Sequence, residues 1–184
     1  MNDANSLGRL LRQHSSSPVE AAGATALFEA ISGGPLRADA LNRTMRSLTA
    51  REHHLLNAAG AYAGHERRCL LRAQTGVLVA ETTALLLAHR LPASARSALG
   101  MASTGVPLTV PTPEPLGRVL RGFGVIREPL EVILTPFRFD DAGEEQVVYS
   151  AARLWLEEPI ALVTERVYRR FLEAFPCPWP YVQR

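Results

Sequence analysis

Arginine is the residue type with the clearest chemical potential in this sequence, because all 20 basic side chains are arginines and none is a lysine. A guanidinium keeps its proton at physiological pH and binds a carboxylate through two parallel hydrogen bonds. The arginine usage itself is typical of a GC-rich coding sequence, but such side chains suit carboxylates, and the absence of lysine excludes Schiff-base chemistry. The arginines are dispersed among 18 acidic residues and are not clustered, whereas a nucleic-acid-binding surface has clustered basic residues.

The sequence lacks the usual motifs of metal binding and of covalent catalysis. Its five histidines include one adjacent pair, His53-His54, but no HExxH or comparable ligand spacing. Cys69 and Cys177 are far apart and form no CxxC, so we expect reduced, structural thiols. No GxSxG motif is present, and no histidine has an assignable catalytic partner. We therefore expect neither a metal site nor a nucleophilic triad.

The elements that must position any site belong to one ordinary globular domain. The chain has 184 residues, of which 47% are hydrophobic, and a formal net charge of +2. We expect a single domain over 1–184, with residues 1–17 as a flexible or loosely packed N-terminal lead-in. No apolar run approaches the 18 or so residues that a membrane helix needs, and the start lacks the pattern of a secretory signal. These features predict a cytoplasmic protein without membrane contacts.

Helices are predicted mainly in the first third of the chain. Ser17, Pro18 and Glu20 form a helix-start pattern, and the apolar stripe that follows ends at Ser32-Gly33-Gly34-Pro35. Residues 36–50 fit either a short helix or a loop that leads into a sheet.

Strands dominate the remainder of the chain. Residues 68–73 and 77–84 flank the short link Gln74-Thr75-Gly76, which predicts a hairpin, and 55–63 are a further strand candidate. Short helices are expected at Leu91–Leu99 and from Pro115, separated by a long loop, Gly100–Pro115, that could act as a lid. Three more strands, at 130–139, 146–156 and 160–165, precede a final helix at 167–175. Helices followed by consecutive hairpins indicate an α+β fold with an antiparallel sheet and packed helices.

The order of three motifs resembles the chorismate pyruvate-lyase family and its relatives. The motifs are Arg67-Arg68-Cys69-Leu70-Leu71, then Pro115-Leu116-Gly117-Arg118-Val119-Leu120, then Pro159-Ile160-Ala161-Leu162-Val163-Thr164-Glu165. The similarity covers roughly residues 40–172. It implies an antiparallel sheet with a ligand cavity, in a fold that also serves as the effector-binding module of some bacterial transcription regulators.

The family resemblance also implies a reaction and a set of site residues. The family eliminates pyruvate from chorismate to give 4-hydroxybenzoate, without metal or organic cofactor. By position, the family's carboxylate-binding arginine corresponds to Arg67, its glutamate near the ring hydroxyl to Glu165, and a backbone amide of its Pro-Leu-Gly turn to Leu116. Two other interpretations stay open: Arg67 as a solvated strand start, and Glu165 in a surface ion pair with Arg166.

One position departs from the family pattern. The family carries a second arginine on the next hairpin strand, where this chain has Glu81 or Thr82. Loss of a charge-assisted contact costs about 1.5–3 kcal/mol, which argues against tight chorismate binding unless Arg43 supplies charge from another side. Glu81 also fits an outward-facing strand residue.

Two functional hypotheses follow from the residues and the resemblance. The first is a cofactor-independent lyase that acts on chorismate or on a related carboxylated metabolite, for example in specialised metabolism, with Glu165 and Arg67 as catalytic residues. The alternative is a non-catalytic small-molecule-binding module of the same fold. Both imply a carboxylate ligand, no nucleic acid and no membrane, in a monomer or homodimer.

Overall fold

The fold consists of six helices and six strands within the part of the chain that the structure describes. The structure is a computed structural model that describes residues 3–13, 23–101, 114–140 and 143–176. The helices are α1 Asp3–Gln13, α2 Gly23–Ser32, α3 Ala50–Leu55, α4 Ala93–Ala98, α5 Leu116–Leu120 and α6 Arg169–Ala174. The strands are β1 Arg37–Ser47, β2 Ala63–Arg72, β3 Leu78–Leu86, β4 Ile126–Phe139, β5 Glu145–Trp155 and β6 Pro159–Tyr168.

The six strands form one antiparallel sheet in the order β1-β2-β3-β6-β5-β4. Strands β1 and β4 are the edges, and β6 returns to pair with β3 in the centre. The predicted hairpin is confirmed as β2 and β3, whose turn contains Gly76 with a φ of +85°, a left-handed conformation that favours glycine. The predicted α+β class, with an antiparallel sheet and packed helices, is confirmed.

The two faces of the sheet are covered very differently. We call the face that carries Cys69, Thr82 and Glu165 the inner face, because these residues lie opposite one another in register and directly paired residues share a face. Two buried apolar clusters join it to α1, α2 and α6 on one side and to α4 and α5 on the other. The outer face carries one smaller cluster, centred on Leu56 and Leu85 beside α3.

The N-terminal segment differs from the predicted loosely packed lead-in. Asp3–Gln13 form a regular helix that packs against β4 and β5. Leu7, Leu10 and Leu11 are each at most 2% exposed, because their i, i+3, i+4 spacing gives the helix one apolar stripe. Residues 14–17, which belong to the same prediction, lie outside the described residues.

Two segments adopt a different structure from the predicted one. Residues 37–47, expected as a short helix or loop, form edge strand β1. Residues 55–63, a strand candidate, instead contain the end of α3 and a turn. The hydroxyl of Thr49 accepts a hydrogen bond from the Glu52 amide while the Glu52 carboxylate accepts one from the Thr49 amide, and this capping box starts a helix.

The remaining predicted elements agree with the structure where it describes them. Helix α2 ends at Ser32, because the following Gly33 has a φ of +72°. The predicted start of this helix at Pro18 lies outside the described residues. The two short helices are present as α4 and α5, and most of the Gly100–Pro115 loop between them lies outside the described residues. None of the helices in the described ranges is long and apolar enough to cross a membrane.

Candidate functional site

A row of polar side chains crosses the centre of the inner face. Thr82 on β3 lies opposite Glu165 on β6, and Glu165 lies opposite Ser150 on β5. Their neighbours on this face are apolar: Ala84 and Val163 form the next pair along the same strands. Polar groups in an apolar wall must find hydrogen-bond partners, so their contacts define what this region can do.

The Glu165 carboxylate is paired with a buried arginine from edge strand β4. Arg127 Nη2 donates hydrogen bonds to Glu165 Oε2 at 3.1 Å and to Ser150 Oγ at 2.6 Å, and Nη1 donates to the Leu11 carbonyl at 3.2 Å. The Arg127 side chain is only 2% exposed and the Glu165 side chain only 8% exposed. Water therefore screens the pair weakly, and each charge depends on the other for its stability in the interior.

A cavity of about 60 Å³ lies between this pair and helices α2 and α5. Its polar lining includes Thr25, Thr82, Arg127 and Glu165. The apolar lining is contributed by Phe28, Leu71, Leu116, Leu120, Val125 and Leu154. We call this space the inner-face cavity. A mostly apolar wall with a few convergent polar groups is the usual composition of a small-molecule site.

The inner-face cavity is small compared with a typical ligand pocket. A volume of about 60 Å³ accommodates a few water molecules. Pockets for drug-sized ligands measure roughly 300 Å³ or more. Helices α2 and α5 form the wall opposite the sheet, so their separation determines how large a ligand the inner-face cavity can hold.

An ion-pair cluster holds these two helices together. Glu29 on α2 accepts a hydrogen bond from Arg118 on α5 and one at 2.7 Å from Arg121, which follows α5. Arg118 also donates to the Leu36 carbonyl at 2.9 Å. Burial opposes ionisation of Glu29, but the hydrogen bonds from the two guanidinium groups outweigh it and lower the pKa of this carboxyl below its usual value.

Arg67 lies on the inner face but outside the lining of the inner-face cavity. It is 4% exposed, and its Nη2 donates a hydrogen bond to the Glu114 carbonyl at 2.6 Å, just before α5. Its side chain lines a separate cavity of about 10 Å³, next to Arg43 on β1. Arg67 and Glu165 are therefore both buried on the same face of the sheet, but the structure places them against different cavities.

The six predicted site residues thus fall into three groups. Thr82, Glu165 and Leu116 line the inner-face cavity. Arg67 and Arg43 lie side by side against the smaller cavity, where they are paired in the register of β2 and β1. Glu81 belongs to neither group.

Glu81 lies away from both cavities because successive strand residues point to opposite faces. On the outer face its Oε1 accepts a hydrogen bond from Arg68 Nε at 2.6 Å, and it lies 3.7 Å from Arg166 Nη1. It is also 4% exposed, so it is a buried ion-pair residue rather than a solvated one. Glu81 therefore does not contact a ligand in the inner-face cavity, and its charge is compensated by Arg68 and Arg166.

Sequence reasoning missed Arg127, the residue that completes the site. No motif marks it, and the predicted strand began only at residue 130, whereas β4 begins at Ile126. With the observed strand start, alternation places Arg127 on the inner face opposite Leu154. Within the described ranges, no three histidine, cysteine or acidic side chains are grouped closely enough to hold a metal ion.

Comparison with known structures connects this geometry to a fold. The structure is similar to the effector domain of PhnF from Mycobacterium smegmatis, with a TM-score of 0.52 and 14% identity over 80% of this chain and 88% of that domain. This chain has the effector-domain fold. The sequence matches no protein-family model, and a search of curated proteins finds no match.

Two further solved structures are similar to this chain at lower TM-scores. PhnF from the same organism matches with a TM-score of 0.47 and 14% identity, over 73% of this chain and 59% of that one. A GntR-family transcriptional regulator from Bacillus cereus matches with a TM-score of 0.45 and 9% identity, over 78% of this chain and 96% of that one. The comparisons do not support the expectation that the protein has no nucleic-acid partner. They also do not support chorismate lyase specifically.

Proposed function

We propose that this chain is a small-molecule-binding module whose ligand occupies the inner-face cavity. The observation that carries the proposal is the buried Arg127–Glu165 pair, which forms a charged part of the wall of a mostly apolar cavity. A buried ion pair is weak as a source of stability, since desolvation offsets most of its attraction. Its position in a cavity wall is explained if its hydrogen-bonding groups serve a ligand.

The lining indicates the chemistry of the ligand. Glu165 offers acceptor oxygens to a ligand hydroxyl, the Thr82 and Thr25 hydroxyls can donate or accept, and the Leu116 amide is proposed to orient a further acceptor. Arg127 can share its guanidinium between Glu165 and a ligand carboxylate. The favoured ligand is a compact cyclic acid that carries a hydroxyl group and presents an apolar body to the surrounding side chains.

The proposal is tested with 4-hydroxybenzoate as the first probe, measured by calorimetric titration of the full chain. We expect saturable binding that weakens at least tenfold in Thr82→Val, which removes a hydroxyl from the inner-face cavity. Thr164→Val is the matched control, because Thr164 lies on β6 next to Glu165 but faces the outer side. Benzoate and 4-hydroxybenzamide show whether the hydroxyl or the carboxylate is recognised.

Two results would contradict the binding proposal. One is that none of the three aromatic probes gives a saturable binding isotherm. The other is equal weakening by Thr82→Val and Thr164→Val, which would mean that binding does not occur in the inner-face cavity.

Lyase activity is the second candidate function, and one contact favours it. Arg127 brings a guanidinium to Glu165 from β4, and so offers the second positive charge that Glu81 and Thr82 do not provide. In this proposal Glu165 acts at the hydroxyl or proton without a cofactor, and Arg67 anchors a carboxylate of a substrate that reaches both cavities. Incubation with chorismate and detection of pyruvate and 4-hydroxybenzoate test it, and no product at high protein concentration rejects it.

A further inference from the structure

We propose that the outer face of the sheet is the interface through which two copies of this chain form a homodimer. This face carries an open groove of about 260 Å³, several times the volume of the inner-face cavity. One wall of the groove is α3, the other is edge strand β4, and β3, β6 and β5 form its floor. We call this space the outer groove. The proposal does not depend on which ligand occupies the inner-face cavity.

Apolar side chains are exposed along the β4 side of the outer groove. Leu130 lines the groove and is 37% exposed. Ile126 and Ile133 are each 45% exposed, and they lie on the same face of β4, opposite Trp155 and Tyr149 of β5. A single exposed apolar residue is ordinary, but several on one strand face form the kind of patch that marks a protein–protein interface.

The edge of β4 is poorly suited to pairing with a further strand, so a partner must approach the face. Arg12 on α1 donates a hydrogen bond from Nη2 to the Val132 carbonyl at 2.8 Å, which occupies a backbone acceptor of this strand. Pro129 has no N–H to donate, and the pairing of β4 with β5 shifts between Pro129 and Glu131. Such features protect an edge against strand addition. A partner is therefore expected to pack on the outer face and not to extend the sheet.

The charges at the rim of the outer groove complement a second copy of the same surface. Arg51 on α3 and Glu131 on β4 are exposed, lie in opposite walls and have no ion-pair partner within the ranges that the structure describes. Arg46 and Glu52, also in the lining, already pair with each other. Two copies packed face to face are related by a twofold axis in the plane of the interface. If this axis runs parallel to the strands, it brings Arg51 of each copy next to Glu131 of the other.

The outer face is large enough for a stable dimer. Six strands of about ten residues, at about 4.8 Å per strand and about 3.3 Å per residue, present roughly 900 Å² in projection. A standard interface needs about 800 Å² from each partner. Helix α3 covers part of the face, but the same twofold axis places it over the outer groove of the other copy, where it contributes to the contact. The area and the self-complementary charges together favour a second copy over an unrelated protein.

Sedimentation velocity of the full chain over a range of protein concentrations, in reducing buffer, tests the proposal. We expect a reversible dimer for the wild type. Leu130→Glu places a charge in the apolar contact and should raise the dimer dissociation constant at least tenfold. Met45→Glu is the matched control, because Met45 is 57% exposed but lies on β1 opposite His65, on the inner side of the sheet. This variant should dimerise like the wild type.

A charge swap tests how the two copies are oriented. Arg51→Glu should weaken the dimer, because it places like charges next to each other at two symmetric positions, and combination with Glu131→Arg should restore the affinity. Glu131→Gln alone should have little effect, since exposed pairs at a rim contribute little to stability. Arg9→Glu, a charge reversal on the exposed side of α1, is the control and should leave the dimer unchanged.

Several results would overturn the proposal. A wild type that is monomeric at every concentration would assign the outer groove to a small molecule or to a different protein. A dimer that neither Leu130→Glu nor Arg51→Glu weakens would have its interface elsewhere, and so would a dimer that Met45→Glu weakens as much as Leu130→Glu does. Failure of the charge swap to restore the affinity would exclude the pairing of Arg51 with Glu131 between copies.

Discussion

At the scale of single residues, the partner of Glu165 is the main result. The adjacent Arg166 was the alternative partner in the sequence, but alternation along β6 directs it to the outer face. There its guanidinium lies 3.7 Å from Glu81 and stacks over the Tyr149 ring at 5.7 Å. The true partner is Arg127 on β4, which is distant in sequence and reaches Glu165 across the intervening strand β5.

The buried Arg127–Glu165 pair leads to a stability prediction. Arg127→Met leaves a buried carboxylate without its cation, so we expect the free energy of unfolding to fall by about 3–5 kcal/mol. Urea denaturation measures the change. The double variant Arg127→Met with Glu165→Gln should lose less than the sum of the two single variants, since it leaves no uncompensated charge.

The control for this prediction is an exposed ion pair. Arg37 and Asp39 lie on edge strand β1 with side chains that are 67% and 36% exposed. Arg37→Ala should change the free energy of unfolding by about 0–1 kcal/mol, as water screens such pairs. Equal losses in Arg37→Ala and Arg127→Met would show that the inner-face pair is solvated.

At the scale of elements, the contact between α2 and α5 governs the size of the inner-face cavity. Glu29 has a folded-state pKa below its usual value. Its ion pairs therefore stabilise the fold above about pH 4.5, and this stabilisation is lost as Glu29 becomes protonated at lower pH. We expect Glu29→Gln to be less stable than the wild type at pH 7 and to show a weaker loss of stability on acidification. Thermal unfolding between pH 3 and pH 7 measures both effects.

Glu131→Gln serves as the control for the acid response, because Glu131 is exposed on β4. Its acid profile should follow that of the wild type. A Glu29→Gln profile that also follows the wild type at every pH would disprove the stabilising role of the α2–α5 ion pairs.

The capping box of α3 gives a second prediction about an element. The hydrogen bonds from Arg46 are the main cause that lowers the pKa of Glu52, to about 2, which keeps this residue ionised as an acceptor at the helix start. Thr49→Ala removes the side-chain cap and should cost about 1 kcal/mol in the free energy of unfolding. Ser47→Ala, an exposed change at the end of β1, should have little effect, and a similar loss in both variants would contradict the capping role.

Elements were predictable where local chemistry determines them. The β2–β3 hairpin follows from two apolar runs joined by a glycine turn, and α4 and α5 follow from their leading prolines. Strand β1 was missed because its second half, Asn42-Arg43-Thr44-Met45-Arg46, shows no clear alternation of apolar and polar residues. An edge strand of this kind is specified by its partner β2, through pairs such as Arg46 with Glu66, and not by its own sequence.

At the scale of the whole molecule, α1 connects the N-terminus to the candidate site. Its leucines fill the space beside β4 and β5, and the Leu11 carbonyl accepts a hydrogen bond from Arg127. Leu11→Ala should lower the free energy of unfolding by about 2–5 kcal/mol, measured by urea denaturation. Arg9→Ala, on the exposed side of the same helix, is the control, and comparable losses would refute a tightly packed α1.

The site could be predicted only as far as motifs reach. The family resemblance assigned Arg67, Leu116 and Glu165 to one site, and of these Leu116 and Glu165 line the same cavity. It could not show that Arg67 faces a second cavity or that Arg127 pairs with Glu165. Both facts depend on strand register and on where each strand starts, which a single sequence does not determine.

The Glu114 carbonyl would compete with a bound anion for the Nη2 donor of Arg67. An anion that takes the place of the Glu114 carbonyl at this Nη2 donor would release the backbone ahead of α5. Anion binding by this donor would then be linked to the position of the segment that leads into Leu116. By reciprocity, a partner that moves this segment would alter the affinity of Arg67 for the anion.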